Sequence, residues 1–389
     1  MNLANEPMIA FLINELDVRG GTHKQLLQLI DHAASTNTSF KIFTTRYDAE
    51  KTYQGFKRHE HNIIIISQPN SHNTVTKIYN RLRFALKLRR KLKGFQTINV
   101  HDLGFELYYL FFPRKRTIWQ INDMPPCFKV GVSENVKINQ IKRKSLQTII
   151  KIGVQHTIRE ITVNVTKNKI RAEQQFKVPV NVLYCGIDPI HIQKNIEESI
   201  NRFNKKQINL LSSGVFFPYR NYETQIKIIE ILRQHGIDAN LKIIGSTTIN
   251  PQYTDTIKRL IANAQLTSNI TICGSVDEEM FNQLHQQADM FIFINIDQSW
   301  GLAIFEAMSC GLPVIVSESV GATEILADQH DALIVNPLDA KNIANIIIDL
   351  MAQPERYKQL SQNATNFTHK YTWEKSYSIP MLQKLQSNN

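Results

Sequence analysis

The sequence predicts an α/β protein built on largely parallel sheets, and three observations carry that prediction. Apolar runs of strand length recur at 9–14, 40–44, 62–66, 97–100 and 117–121, and again at 208–213, 240–244, 269–273 and 290–294. Between them lie stretches with helical spacing, such as Leu26, Leu27, Leu29 and Ile30, or the segments 222–235, 252–264 and 277–286. Strands alternating with helices cover a sheet on both faces, the arrangement that parallel pairing requires. Several of the runs also end in glycine or in paired polar residues, the chemistry that gathers at the carboxyl ends of parallel strands.

A chain of 389 residues has room for two domains of ordinary size, here 1–195 and 196–370, with 371–389 returning to the first. Its 42% hydrophobic and 20% charged residues fit a soluble globular protein and exclude a disordered one. No apolar run approaches the roughly 20 residues needed to cross a bilayer. Met8 to Ile13 follows Glu6 without a basic region, so it reads as a first buried strand and not as a secretion signal. Cys127, Cys185, Cys273 and Cys310 stand far apart, with no metal-type spacing and no disulfide framework, which suits the cytoplasm.

The net charge of +11 is unevenly spread. Residues 1–195 hold 30 Lys and Arg against 14 Asp and Glu (+16), and residues 196–389 hold 15 against 20 (−5). The first half is therefore expected to meet something anionic. Its densest stretch, 76–93, carries eight cations and no acid, with Ile78, Leu82, Ala85 or Leu86, and Leu92 at near-helical spacing. Such a helix either lies on an anionic membrane surface or packs by its apolar stripe with its cations in water. No recognition motif accompanies the charge, so no nucleic-acid partner is expected.

In the first half, strand 9–14 runs through Asp17-Val-Arg-Gly20-Gly21-Thr22 into a helix. Glycine there lets the backbone come close to a phosphate, although glycine pairs are common in α/β loops. His101 and Asp102 follow one strand, and Asn122 and Asp123 follow another. All four belong to the edge where open α/β sheets bind ligands. The polar stretch Lys194 to Lys206 reads as a linker.

The second half holds the most informative segment. Phe291-Ile-Phe-Ile-Asn-Ile-Asp-Gln298-Ser-Trp-Gly301 leads into Leu302-Ala303-Ile-Phe-Glu306, followed by Gly311-Leu-Pro313 and another apolar run. This is strand, loop, helix, strand, with the helix's first N–H groups free to face an anion. Glu306 lies in a small, apolar setting, where a carboxylate needs a hydrogen-bonding task.

The segment resembles the donor-site signature of retaining GT-B glycosyltransferases of family 4, the glycosyl transferases group 1. The resemblance implies two Rossmann-like domains facing each other across a cleft. It also implies transfer of a sugar from a UDP- or GDP-sugar, without a metal or other cofactor, to a glycan or lipid-linked acceptor in bacterial surface polysaccharide synthesis. Peripheral attachment to the inner face of the cell membrane would accompany that role. Glu306 matches the family's second acid, implying a grip on the ribose hydroxyls. Gln298 stands where the first acid is expected, losing the charge but keeping an acceptor. Gly301, Leu302 and Ala303 would present backbone amides to the donor, Gly20 and Gly21 would meet its phosphates, and Ser275 and Val276 would flank the base. Arg220 falls where the family has a phosphate-binding lysine, and Val215 replaces the family's arginine. Many relatives place a histidine where this chain has Asn122, with Asp123 beside it; His101 and Asp102 either line the acceptor side or cap a loop.

Three rivals remain at this point. Gln298, Asn122 and Val215 also suit a degenerate relative that binds without transfer. An epimerase on the same fold is a second. A dinucleotide oxidoreductase is weakened by the lack of Gly-x-Gly-x-x-Gly. No helical His-x-x-x-His and no ligand-type acidic cluster points to a metal.

Overall fold

The computed structural model describes residues 8–67, 73–129, 138–188 and 194–387, together forming two compact units. Pro189 and the side chain of Ile78 lie outside the described residues. The first unit takes Met1–Gly186 and Trp373–Asn389, and the second takes Ile187–Thr372. The division thus falls at 186/187 and 372/373, where the sequence suggested 195/196 and 370/371.

In chain order the first unit contains β1 (Ile9–Ile13), β2 (Glu15–Leu16), α1 (Gly21–Ser35), β3 (Phe40–Thr44), β4 (Arg46–Tyr47) and β5 (Ile63–Ile65). It continues with α2 (Thr74–Leu92), β6 (Thr97–His101), β7 (Thr117–Ile121), α3 (Gln140–Thr157), β8 (Ile158–Val163), α4 (Thr166–Gln175) and β9 (Val180–Val182). Seven strands form one sheet in the order β5-β3-β1-β6-β7-β8-β9, all described pairs being parallel. Every residue of β1, β6 and β7 is buried, as expected for strands covered on both faces.

The second unit contains α5 (Ile196–Asn204), β10 (Gln207–Ser213), α6 (Tyr222–Gln234), β11 (Asp238–Ile244), α7 (Pro251–Asn263), β12 (Ile270–Gly274), α8 (Glu278–Gln287) and β13 (Met290–Phe293). Then come α9 (Leu302–Ser309), β14 (Val314–Ser317), β15 (Leu333–Val335), α10 (Ala340–Met351) and α11 (Pro354–Thr368). Its six strands pair in parallel in the order β12-β11-β10-β13-β14-β15.

The last helix, α12 (Ile379–Gln386), follows a π turn at Glu374–Ser378 and closes the first unit. Arg159 donates to the carbonyls of Lys384 and Ser387, Lys384 pairs with Glu160 at 3.1 Å, and Tyr377 donates to Gln120 Oε1 at 3.3 Å. Gly186 shows how tight this closure is, because a Cβ there would lie 2.1 Å from Cα of Trp373.

Two segments differ from their sequence reading. Lys194–Lys206 is no linker: α5 occupies it, capped by the Asn195 side chain and burying Ser199, Ile200 and Phe203. The buried stripe of α2 is Phe84, Ala85, Leu88 and Leu92, whereas Leu82 and Leu86 are each 49% exposed and Tyr79 62%. On the buried side Phe84 packs against Tyr108, ring centres 5.0 Å apart. No helix among the described residues is long and apolar enough to cross a membrane.

α5 is locked by a buried carboxylate. Asp289, fully buried, accepts from Arg202 at 2.7 and 3.1 Å and from the Asn209 amide at 2.8 Å, with Lys194 at 3.7 Å. Removing it leaves Lys194 without a counter-charge and Arg202 with only the exposed Glu198, so Asp289→Ala should cost about 3–5 kcal/mol, read as a lower urea midpoint.

Candidate functional site

In the second unit, three neighbouring strands run into glycine at their carboxyl ends. β10 and β11 run into Gly214 and Gly245, and β12 ends on Gly274. They are stitched edge to edge: Gly214 N–H donates to the Ile244 carbonyl at 2.8 Å and Gly245 N–H to the Gly274 carbonyl at 2.9 Å. A Cβ on Gly245 would sit 1.9 Å from the Gly214 carbonyl oxygen, so only glycine allows this floor.

Arg220 lies directly against that floor. A Cβ on Gly214 would stand 2.6 Å from its Cζ. Its guanidinium is stacked 5.2 Å from the Tyr219 ring centre and 5.6 Å from that of Phe293, which holds a positive charge at a half-buried position. Its Nε is buried with no partner among the described residues. Asn221 fixes the loop: it adopts φ 57°, and its side chain donates to the carbonyls of Ile294 and Pro337.

The same Phe293 carries the next part. Gly301 caps α9 with φ 98°, and a Cβ there would meet Phe293 at 3.1 Å and Ile304 at 2.9 Å. Left-handed geometry and lack of space both demand glycine. The amides of Leu302 and Ala303 open α9, and Glu306 sits half-buried in its second turn. Gln298 is held by its backbone, whose carbonyl accepts from Gly321 N–H at 3.1 Å; its side-chain Oε1 is buried with no partner among the described residues. Ser275 is exposed and Val276 half-buried in the turn before α8. Arg220, Gly301, Leu302, Ala303, Gln298 and Glu306 are thus gathered at one sheet edge, with Ser275 and Val276 at the end of β12.

The first unit gathers a second set. Gly20, Gly21, Thr22, His23, His101, Asp102 and Gly104 line a pocket of about 380 Å³ at the carboxyl ends of β1 and β6. Gly20 has φ −164°, extended backbone open to any residue, so the glycine pair is not forced by conformation. Thr22 Oγ1 donates to Asp102 Oδ2 at 3.1 Å. Asn122 Nδ2 donates to Thr22 Oγ1 at 3.0 Å and to Gln25 Oε1 at 2.7 Å, while Gln120 donates to Asn122 Oδ1 at 3.1 Å. The amide of Asn122 is therefore committed inward, as a brace for Thr22. Asp123 turns away from this set: its carboxylate accepts from Lys129 and from the Met124 amide at 2.9 Å.

Asp102 is unusual in three respects. It adopts φ 58°, its carbonyl accepts from Trp119 Nε1 at 2.7 Å, and its Oδ1 is closed from solvent with no partner among the described residues. Burial pushes its carboxyl up to about 6, even though the residue as a whole is half-buried. His101 is completely buried, and burial, aided by His23, pushes it down to about 3. The ring, with both nitrogens unpartnered among the described residues, lines the pocket and is uncharged at neutral pH. Thr22 and Gln25 were not singled out from the sequence; their signal is the spacing of three on α1, directly after the glycine pair. Among the described residues no group of three or more His, Cys, Asp or Glu is arranged to hold a metal ion.

The raised Asp102 carboxyl fixes a sign. Its neutral form is favoured in the folded chain, so its contribution to stability is full below the ordinary value near 4 and is lost as pH rises through about 6. Asp102→Asn, also tolerant of left-handed backbone, should be more stable than the parent at pH 7 by about 1–3 kcal/mol, the difference closing below pH 4. Paired urea titrations across that range check it.

Residues 193–367, less than half of the chain, match the family model described as Glycosyl transferases group 1. An O-antigen chain mannosyltransferase of Salmonella typhimurium is 23% identical over 234 residues, 60% of this chain and 61% of that one. A GDP-mannose-dependent phosphatidylinositol monomannoside mannosyltransferase of Mycolicibacterium smegmatis is 25% identical over 146 residues, 36% of this chain and 37% of that one. The chain spans about half, or less, of the length of several curated relatives it matches. Among solved structures, Anabaena HepE in complex with UDP and glucose superposes with a TM-score of 0.75 at 13% identity, covering 98% of this chain and 100% of that one. The fold is thus GT-B, with two Rossmann-like units, and the sequence of the second unit matches glycosyl transferases group 1.

Proposed function

We propose that this chain is a retaining, metal-independent glycosyltransferase of family 4. It moves a sugar from a UDP- or GDP-sugar to a hydroxyl of a glycan or lipid-linked acceptor, in the synthesis of a bacterial surface polysaccharide. The observation that carries the reading is the pairing of Arg220 with the Gly301-capped helix against one aromatic ring, inside the segment that matches the family model. A cation and a row of helix-start amides, held before any ligand arrives, suit the negative charge that grows on a departing diphosphate. Glu306 accepts the two ribose hydroxyls, and Gln298, with an unused buried acceptor, takes a sugar hydroxyl. Leaving-group stabilisation needs no side-chain nucleophile: the acceptor hydroxyl attacks from the face the diphosphate leaves, and its proton passes to the leaving phosphate oxygen.

In the first unit, Asp102 and Thr22 accept and orient the acceptor, with Gly20 and Gly21 lining the same pocket. α2 rests on an anionic membrane surface, supported by the exposure of Tyr79, Leu82 and Leu86 among its cations. The surface-glycan role is supported by the Salmonella relative, whose product is O-antigen chain.

A second reading is favoured by Gln298 and Val215: a relative that binds nucleotide sugar and transfers nothing. Thermal shift with UDP, GDP and their sugars, followed by product analysis, separates the two. Transfer is expected with one donor, lost about 100-fold or more in Arg220→Gln, and Glu306→Ala should abolish the nucleotide-induced shift. Tight nucleotide binding with no turnover of any donor would select the second reading; unchanged nucleotide affinity in folded Glu306→Ala would sink both.

A further inference from the structure

The first unit carries another pocket, of about 1100 Å³, at the opposite edge of its sheet from Asp102 and Thr22. Its walls come from segments that precede strands: the last turns of α2 ahead of β6, residues 112–116 ahead of β7, and His156 and Thr157 ahead of β8. Arg89, Arg90, Lys93, Arg114, Arg116 and His156 line it, and no Asp or Glu does. Among the described residues, none of the five permanent cations has an ion pair or a side-chain hydrogen bond.

The wall is anchored. Lys115 adopts φ 52° and its Nζ donates to the Ile158 carbonyl at 2.9 Å, while the Arg116 carbonyl accepts from Ile98 N–H at 2.9 Å. With Lys115 turned back onto β8, Arg114 and Arg116 stand exposed on either side of it. Part of the charge has an ordinary reason, since Arg89 and Arg90 lie in the last turn of α2, where cations offset the helix's negative end. That reason does not reach Arg114 and Arg116, which lead into a strand. Five like charges around one hollow repel each other, and an anion of two or more charges relieves that repulsion. Arginine forks suit phosphate oxygens in particular. The remaining wall is apolar, from Leu86 and Leu110, 49% and 46% exposed, with Phe112 and Pro113.

We propose that this pocket binds the phosphate group of an amphipathic molecule, the cations holding the phosphate and Leu86, Leu110 and Phe112 meeting its apolar part. Leu86, Arg89 and Arg90 are shared with the membrane contact proposed for α2, which a lipid headgroup in this pocket deepens. None of the lining residues takes part in donor or acceptor binding, so the pocket stands if sugar transfer fails. The phosphate comes either from the headgroup of an anionic lipid or from a soluble phosphorylated compound.

The test uses the full chain at constant ionic strength. Inorganic pyrophosphate should raise the unfolding midpoint of the parent. Arg220→Gln should keep at least half of that rise, which removes the second unit as its source. Arg114→Gln with Arg116→Gln should lose most of it, while Lys258→Gln with Lys341→Gln, exposed cations of the second unit, should not. Flotation with phosphatidylcholine vesicles, with and without phosphatidylglycerol, gives the other arm. Binding to the anionic vesicles only, weakened about tenfold or more in the Arg114, Arg116 variant, identifies a lipid headgroup. A pyrophosphate response without vesicle binding identifies a soluble compound. Equal losses in the pocket and control variants, or no response in either arm, would overturn the proposal.

Discussion

Parallel pairing is the constraint on which the rest of this structure depends. A sheet with every strand running the same way puts all carboxyl ends on one edge and all amino ends on the other. Strand interiors must then be apolar or fully bonded, so polar groups are pushed to the edges. In the second unit the carboxyl edge becomes a glycine floor with Arg220 and α9 standing on it. In the first it becomes the Thr22, Asp102 and Asn122 network. The amino edge of that unit collects the unpaired arginines. One topological rule thus sorts the chain's chemistry into separate places before any ligand is considered.

Two kinds of polar burial serve different ends here. Asp289 is satisfied completely, by a bidentate arginine, a lysine and a backbone amide, and its task is to lock α5 onto the second unit's sheet. Asp102 is satisfied on one oxygen only. A buried carboxylate oxygen without a partner is costly, and it calls for a task such as binding a ligand or an ordered water. The contrast sets Asp102, unlike Asp289, among the acids with an oxygen still to be satisfied, in keeping with the acceptor role proposed for it.

Much of this was legible in the sequence because it follows from short periodicities. The strand positions came from apolar runs, and Gly301 and Glu306 from their place between two such runs. Arg220 was legible as a cation just beyond a strand. What stayed hidden required three-dimensional neighbours. Lys194–Lys206 reads as a linker because its polar residues outnumber its apolar ones; only Asp289, far along the chain, turns Lys194 and Arg202 into anchors. The buried face of α2, with Phe84 against Tyr108, was not set by the leucine spacing alone. The inward commitment of Asn122 needed Gln25 and Thr22, 97 and 100 residues away. Asp123, adjacent to Asn122, turned out to serve Lys129 because consecutive residues beyond a strand point in different directions.

The closure of Trp373 onto Gly186 also bears on how the molecule comes into being. A ribosome delivers 187–372 in full before it delivers the residues that complete the earlier half. The later-made unit can therefore finish folding first, while Gly186 and the Gln120 side chain still lack Trp373 and Tyr377. The first unit cannot be complete until Trp373 and Tyr377 have been made and seated against Gly186 and Gln120.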